Sequence, residues 1–337
     1  MNLTIVVPTL NRSKKFENFL EYYSNNNYRG NILVIDSSTA KEKKNNIFFI
    51  KKYSSLKIKY IYLPKKKYRQ NFLKCIRKIR TKYTVYSGDD DFFLLNSLKY
   101  LTAFLDKNNS YQGACGIGLT CFKDRDKYRT SLYKGLLELN EKNGIKRLKK
   151  QLSFNGYTVI HYSIIRTSIW KLLKDPKFYY SSDISGEYFY TFSLGYLARI
   201  KQFKKLIYLV RFLGNARYEL QENKKKEVLY LIKILNKFFK RDNNLEYLNN
   251  KNLISNLIYK KIEMKKNYRN KLSIFKILNI LNNIQYSRKF QNFLDVTKIN
   301  KYYLPKFHLD SLTIKKKKYH GFKELRLLIE FYKKKKY

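Results

Sequence analysis

Three consecutive aspartates, Asp89-Asp90-Asp91, stand just behind the apolar run Tyr83–Tyr86 and a Ser87-Gly88 pair. Adjacent carboxylates repel one another at neutral pH unless a cation offsets them. Hard divalent metals take oxygen ligands, and magnesium commonly takes one or two carboxylates together with phosphate oxygens. A metal at this run would bridge a diphosphate and neutralise the charge that develops as it leaves. In a chain with 25 acidic residues, three in a row behind an apolar strand favour that chemistry over a solvated acidic turn. Two more polar turns follow apolar runs: Pro8-Thr9-Leu10-Asn11-Arg12 and Asp36-Ser37-Ser38. Thr9, Asp36 and Ser37 could hydrogen-bond a base or a ribose. Helix capping by Asn11 or Ser13 is the ordinary alternative.

The elements that must position these turns can be read from periodicity. Leu3–Val7 is a continuous, β-branched apolar run, as in a buried parallel strand. Phe16, Phe19, Leu20 and Tyr23 follow at i, i+3, i+4 and i+7, which predicts an amphipathic helix. Ile32–Ile35, Ile58–Leu63 and Tyr83–Tyr86 read as further strands, and Gly113–Phe122 can supply another. Helical faces are predicted for Phe72, Ile76 and Ile79, and for Leu94, Leu98, Leu101 and Leu105. This alternation predicts an α/β, Rossmann-like, mostly parallel sheet flanked by helices. In such a sheet ligands bind outside the carboxyl ends of the strands, where all three polar turns fall. A charged helix is expected around Leu136–Leu152, an aromatic strand around Tyr157–Ile165 and a helix after Ser185. Residues 220–337 carry helical spacing with almost no strand signal, so the chain divides into a domain over 1–219 and a helical, lysine-rich extension over 220–337.

The chain has 337 residues and balances 72 Lys+Arg against 25 Asp+Glu, a net +47 that must attract polyanions. The charge is spread along the whole chain, which fits a generally basic surface better than a built nucleic-acid groove. Three cysteines make no disulfide framework, and none has metal-ligand spacing with a histidine. No signal-peptide pattern and no apolar run of spanning length is present, which predicts a cytoplasmic protein. The basic extension could still hold it at the face of an anionic membrane.

Taken together, Val6-Val7-Pro8-Thr9-Leu10-Asn11-Arg12, Val34-Ile35-Asp36-Ser37-Ser38, Gln70-Asn71 and Gly88-Asp89-Asp90-Asp91-Phe92 resemble the family 2 glycosyltransferases. The likeness covers roughly residues 1–215 and points to a bacterial subgroup whose acidic motif reads Asp-Asp-Asp-Phe. It implies the GT-A fold and transfer of a sugar, with inversion, from a nucleotide-diphosphate sugar to a hydroxyl acceptor, using Mg²⁺ or Mn²⁺. It further implies that Pro8, Thr9, Asn11, Arg12, Asp36, Ser37 and Asn71 line the nucleotide-sugar pocket with Asp89 and Asp90. Two registers of the acidic motif fit, and Asp89 and Asp91 are favoured as metal contacts. Glu187, with Asp183 second, matches the general base that opens a late helix. His161 and Tyr162 resemble the acceptor side. The acceptor would be a growing cell-surface glycan, its lipid carrier or a protein. Arg211 and Arg217, around Gly214-Asn215, could form a late basic loop over the diphosphate.

Two other functions compete. A sugar nucleotidyltransferase would need a glycine-rich loop after the first strand, and Pro8–Arg12 has no glycine. A nucleic-acid-binding protein would use the lysine and tyrosine runs, yet it leaves three acids in its own crevice unexplained.

Overall fold

A computed structural model of the chain describes residues 1–64, 68–124, 127–132, 135–154, 160–173 and 183–212. Beyond these it describes the short stretches 232–235, 237–238, 252–258, 307–308 and 320–335.

Strand β1 (Leu3–Thr9) is buried at every position, as its largely apolar sequence demands. It sits at the centre, paired in parallel with β2 (Asn31–Asp36) on one side and β4 (Tyr83–Tyr86) on the other. Strand β3 (Lys57–Tyr62) extends the parallel set beyond β2. The four carboxyl ends therefore lie along one edge, and Thr9 pairs with Asp36 there.

The helices follow the sequence periodicity. Helix α1 (Ser13–Asn25) buries Phe16, Phe19, Leu20 and Tyr23, its predicted apolar face. Neither Asn11 nor Ser13 caps it through its own side chain; the Glu42 carboxylate instead accepts from the Ser13 N–H at 3.1 Å. Glu42 belongs to α2 (Ala40–Lys52), which the hydrophobic pattern does not reveal. Helix α3 (Tyr68–Cys75) stops before Ile76, and Ile76–Lys78 tighten into a 3₁₀ turn. Helix α4 (Leu95–Lys107) buries Leu98, Leu101 and Leu105 as expected.

Beyond β4 the sheet turns mixed. The short β5 (Asp91–Phe93) begins at the last of the three aspartates. Strand β6 (Gly113–Asp124) forms an antiparallel hairpin with β7 (Lys127–Leu132). The charged helix expected over Leu136–Leu152 is α5 (Gly144–Ser153), which starts eight residues later because Asn143 caps it, accepting from Lys146 N–H at 2.8 Å. Of the aromatic strand expected over Tyr157–Ile165, residues 157–159 lie outside the described ones; Ile160–Tyr162 form a 3₁₀ turn and β8 (Ile164–Arg166) is wedged antiparallel between β4 and β6. Helices α6 (Thr167–Leu172) and α7 (Asp183–Leu197) follow. Strand β9 (Ile200–Phe212) runs parallel to β6 and then pairs antiparallel with β5. Phe307–His308, expected to be helical, form a two-residue strand β10 on β7. The described residues thus make a ten-stranded sheet with the main path β10-β7-β6-β8-β4-β1-β2-β3.

Helix α8 (Phe322–Lys333) packs back on the sheet. Its Tyr332 ring stacks on Phe212 at 3.6 Å, and Leu325, Leu328 and Ile329 are buried. The proposed boundary near 219 itself falls outside the described residues. No described helix is long and apolar enough to cross a membrane. Cys75, Cys115 and Cys121 are free and buried, and burial pushes the Cys115 and Cys121 thiols up to about 12, which keeps them inert.

Candidate active site

The carboxyl ends of β1, β2 and β4 gather most of the residues singled out from the sequence. Thr9, the last residue of β1, donates through its hydroxyl to Asp89 at 2.9 Å. Arg12 lies 3.1 Å from the other Asp89 oxygen and also pairs with Asp90. Lys15, on the first turn of α1, reaches the same Asp90 oxygen at 3.1 Å. Asn11 adopts the left-handed region at φ 52°, which a short polar side chain tolerates. That kink lets its backbone N–H donate to Ser38 Oγ at 2.9 Å while its side-chain Oδ1 accepts from Thr39 N–H at 2.8 Å. The β1 and β2 loops are thereby tied together. Pro8 is buried within β1 beneath them.

Asp36 is fully buried and fully engaged. It accepts from Ser38 N–H at 2.8 Å, from Asn46 at 2.9 Å and from the Tyr60 hydroxyl at 2.7 Å. Burial, followed by the Asp36 hydrogen bond and charge, pushes the Tyr60 phenol well up, so it stays a donor. Asn71 donates to Ser37 Oγ at 2.9 Å and to the Leu63 carbonyl at 3.3 Å. Its own amide oxygen is buried with no hydrogen-bond partner among the described residues. Asp36, Ser37 and Asn71 therefore form one wall, with Asn71 presenting an unused acceptor.

The three aspartates divide their tasks. Asp91 is wholly buried, and Arg211 grips it with bonds of 2.5 and 2.7 Å. The Gly88 N–H donates to the same carboxylate at 3.1 Å. Arg211 sits on β9, opposite Asp91 in register, and also donates to the Tyr162 hydroxyl at 2.7 Å. The late basic loop expected around Arg211 is thus a strand residue that holds the acidic turn; Arg217 lies outside the described residues. Asp90 is the most open of the three. Burial opposes its charge, but Arg211, Arg12 and Lys15 together bring its pKa below the usual carboxylate range. Burial, aided by the charge on Asp90, outweighs Arg12 at Asp89 and pushes that carboxyl up to about 7.

His161 and Tyr162 lie under this turn, both buried, with Tyr86 packed against both rings. Helix α7 carries Asp183 and Glu187 one turn apart at its start, so they share a face; their side chains lie outside the described ones. Lys15, Tyr60 and Arg211 were not singled out for these contacts by sequence pattern. Lys15 could have been found from its place one helical turn after the Pro8–Arg12 turn, whereas Arg211 lies 120 residues from its partner and carries no local signal.

The sequence model of the family described as Glycosyl transferase family 2 matches residues 4–173, half of the chain, which includes this strand-end cluster except Arg211. The chain belongs to glycosyl transferase family 2. Among solved structures, this family 2 chain is similar to S. aureus TarS 1–349 in complex with UDP-GlcNAc, at 17% identity and a TM-score of 0.47, over 69% of this chain and 65% of that one. It is also similar to the mannosyltransferase PcManGT from Pyrobaculum calidifontis in complex with GDP-Man and Mn²⁺, at 12% identity and a TM-score of 0.45, over 71% and 64%. The chain thus spans slightly less than two thirds of the length of these two. No curated protein matches it.

Proposed function

We propose that this glycosyltransferase moves a sugar from a nucleotide-diphosphate sugar to a hydroxyl acceptor by a single, inverting displacement. The observation that carries the proposal is the convergence of Thr9, Arg12, Lys15, Asp89 and Asp90 at the carboxyl edge of a parallel sheet in a family 2 chain. The wall of Asp36, Ser37 and Asn71 is proposed to receive the nucleoside, with the Asn71 oxygen accepting a base or ribose donor. Arg12 and Lys15 would meet the diphosphate.

The acidic turn also suits Mg²⁺ or Mn²⁺. Asp89 and Asp90 are adjacent oxygen donors, the first buried and the second partly open, and Asp91 is closed off by Arg211 and Gly88. We therefore assign the ion to Asp89 and Asp90, and give Asp91, favoured from the sequence, the task of anchoring the turn. Among the described residues no three His, Cys, Asp or Glu side chains converge as a metal-holding group, so diphosphate oxygens would complete the coordination. When bound, the ion supplies charge neutralisation for the leaving diphosphate.

Glu187 is proposed to take the proton from the acceptor hydroxyl, with Asp183 on the same helix face as the second choice. His161 and Tyr162 would support the acceptor side from below. The acceptor is proposed to be a cell-surface glycan, its lipid carrier or a protein, reached in the cytoplasm at the membrane face to which the +47 charge draws the chain. The proposed subgroup is the one with the Asp-Asp-Asp-Phe motif.

The deciding experiment offers purified protein a panel of nucleotide sugars, UDP- and GDP-sugars first, with Mn²⁺, Mg²⁺ or EDTA. Metal-dependent release of one nucleoside diphosphate, lost in Asp90→Ala, is the expected result. Folded protein that releases nothing and binds no nucleotide across the panel would overturn the proposal.

A further inference from the structure

The acidic turn already holds one cation for each carboxylate, and those cations are not equivalent. Arg211, on β9, is paired with the wholly buried Asp91 and also holds Tyr162. Arg12 and Lys15 lie at the rim, 32% and 26% exposed, against Asp89 and Asp90. With both of these carboxylates ionised, as a bound metal requires, the two cations balance them. A divalent cation placed on Asp89 and Asp90 would leave two positive charges uncompensated beside it. A nucleotide sugar carries one negative charge on each of its two phosphates. Only the metal and the diphosphate together restore neutrality, because the diphosphate can take over the two side chains that the metal displaces.

We propose that Arg12 and Lys15 exchange partners during donor binding, from the Asp89-Asp90 carboxylates to the donor diphosphate, and that this exchange makes metal and donor binding depend on one another. The inference rests on the nucleotide-sugar function proposed above. It adds Lys15 as a diphosphate-binding residue and assigns it an opposing effect on the metal. Lys15 extends from a first-turn position on α1, so its ammonium sits near the helix N-terminus, where a phosphate is also favoured. By linkage, whatever the diphosphate does for metal affinity, the metal must do equally for diphosphate affinity.

The test uses the full chain and Lys15→Ala. Mn²⁺ binding alone is read from the electron paramagnetic resonance of the free ion, and UDP and GDP binding with Mn²⁺ by calorimetry. The expected result is opposite in sign for the two ligands. Lys15→Ala binds Mn²⁺ alone about tenfold more tightly and binds the nucleotide with Mn²⁺ about tenfold more weakly. Structural damage would weaken both. Lys14→Ala, whose side chain turns away to Glu17, should change neither. Mn²⁺ affinity in Lys15→Ala that is unchanged or lower than in the wild-type chain would overturn the exchange. Failure of the wild-type chain to bind either nucleotide would strike at the nucleotide-sugar function, while the comparison with Mn²⁺ alone would still decide the Lys15–Asp90 contact.

Discussion

Arg211 reaches across 120 residues of sequence to hold Asp91 by two hydrogen bonds, and the Asp91 carboxylate is wholly buried beneath the partly exposed guanidinium. Removing one partner leaves a buried charge without compensation. Arg211→Ala should therefore lower stability by about 3–5 kcal/mol. Adding Asp91→Asn should recover part of that loss, because the second change removes the stranded charge. Urea unfolding of both single variants and the double variant checks this. Additive losses would show that the pair is not coupled.

Asp36 is the matching anchor at the end of β2. Tyr60→Phe deletes one of its three donors and should cost about 1 kcal/mol, while Asp36→Asn places an amide before several N–H and O–H donors and should cost about 1–3 kcal/mol. Both should raise the KM for the donor, since Ser37 and Ser38 are held by this carboxylate and by Asn71. Stability loss with an unchanged KM would separate this network from the nucleotide pocket.

Glu187→Gln should lower turnover about 10²–10⁴-fold while nucleotide affinity stays unchanged, the pattern of a lost proton acceptor. Asp183→Asn should cost less. Steady-state kinetics alongside calorimetry on the same preparations decide the order, and a deeper loss at Asp183 would exchange the two assignments.

Glu324, on α8, caps α4 from a distance, accepting from the Asn96 N–H at 3.1 Å where α4's own N-cap residue Leu94 offers nothing. Burial raises its pKa above the ordinary 4.5. The folded chain thus holds this proton more tightly than the unfolded chain. Its contribution is fully present below the ordinary value and is lost as pH rises through the raised one. Glu324→Gln keeps an acceptor and removes the charge, so its Tm relative to wild type should climb as pH rises from the ordinary 4.5 through the raised value. A difference that stays flat or falls over that range would contradict the raised pKa.

The parallel half of the sheet was legible because β1, β2 and β4 are buried on both faces and so are written mostly in apolar residues. The three polar turns were legible for the same reason, since strand ends mark them. Helix α2 was not, because its one buried side chain is Asn46 and lysines interrupt its apolar residues. Strand β9 was hidden likewise by Lys201, Lys204 and Lys205, whose exposed or half-exposed positions blur the strand signal. The tasks of the three aspartates could not be separated in sequence. They differ only through partners supplied from elsewhere: Thr9 and Arg12 from the β1 turn, Lys15 from α1 and Arg211 from β9.

Strand β9 has a consequence for where this chain can be cut. The family match ends at residue 173, yet the side chain that secures Asp91 is Arg211, the next residue Phe212 lies flat on Tyr332 of α8, and Lys335 pairs with Glu21 of α1. A fragment excised at the border of the match would retain every aspartate of the turn and lose the strand that fixes it. The stretch of sequence by which the family is known and the smallest piece of chain that keeps the anchoring contacts of the acidic turn and its strand are therefore different objects, and the second extends through α8.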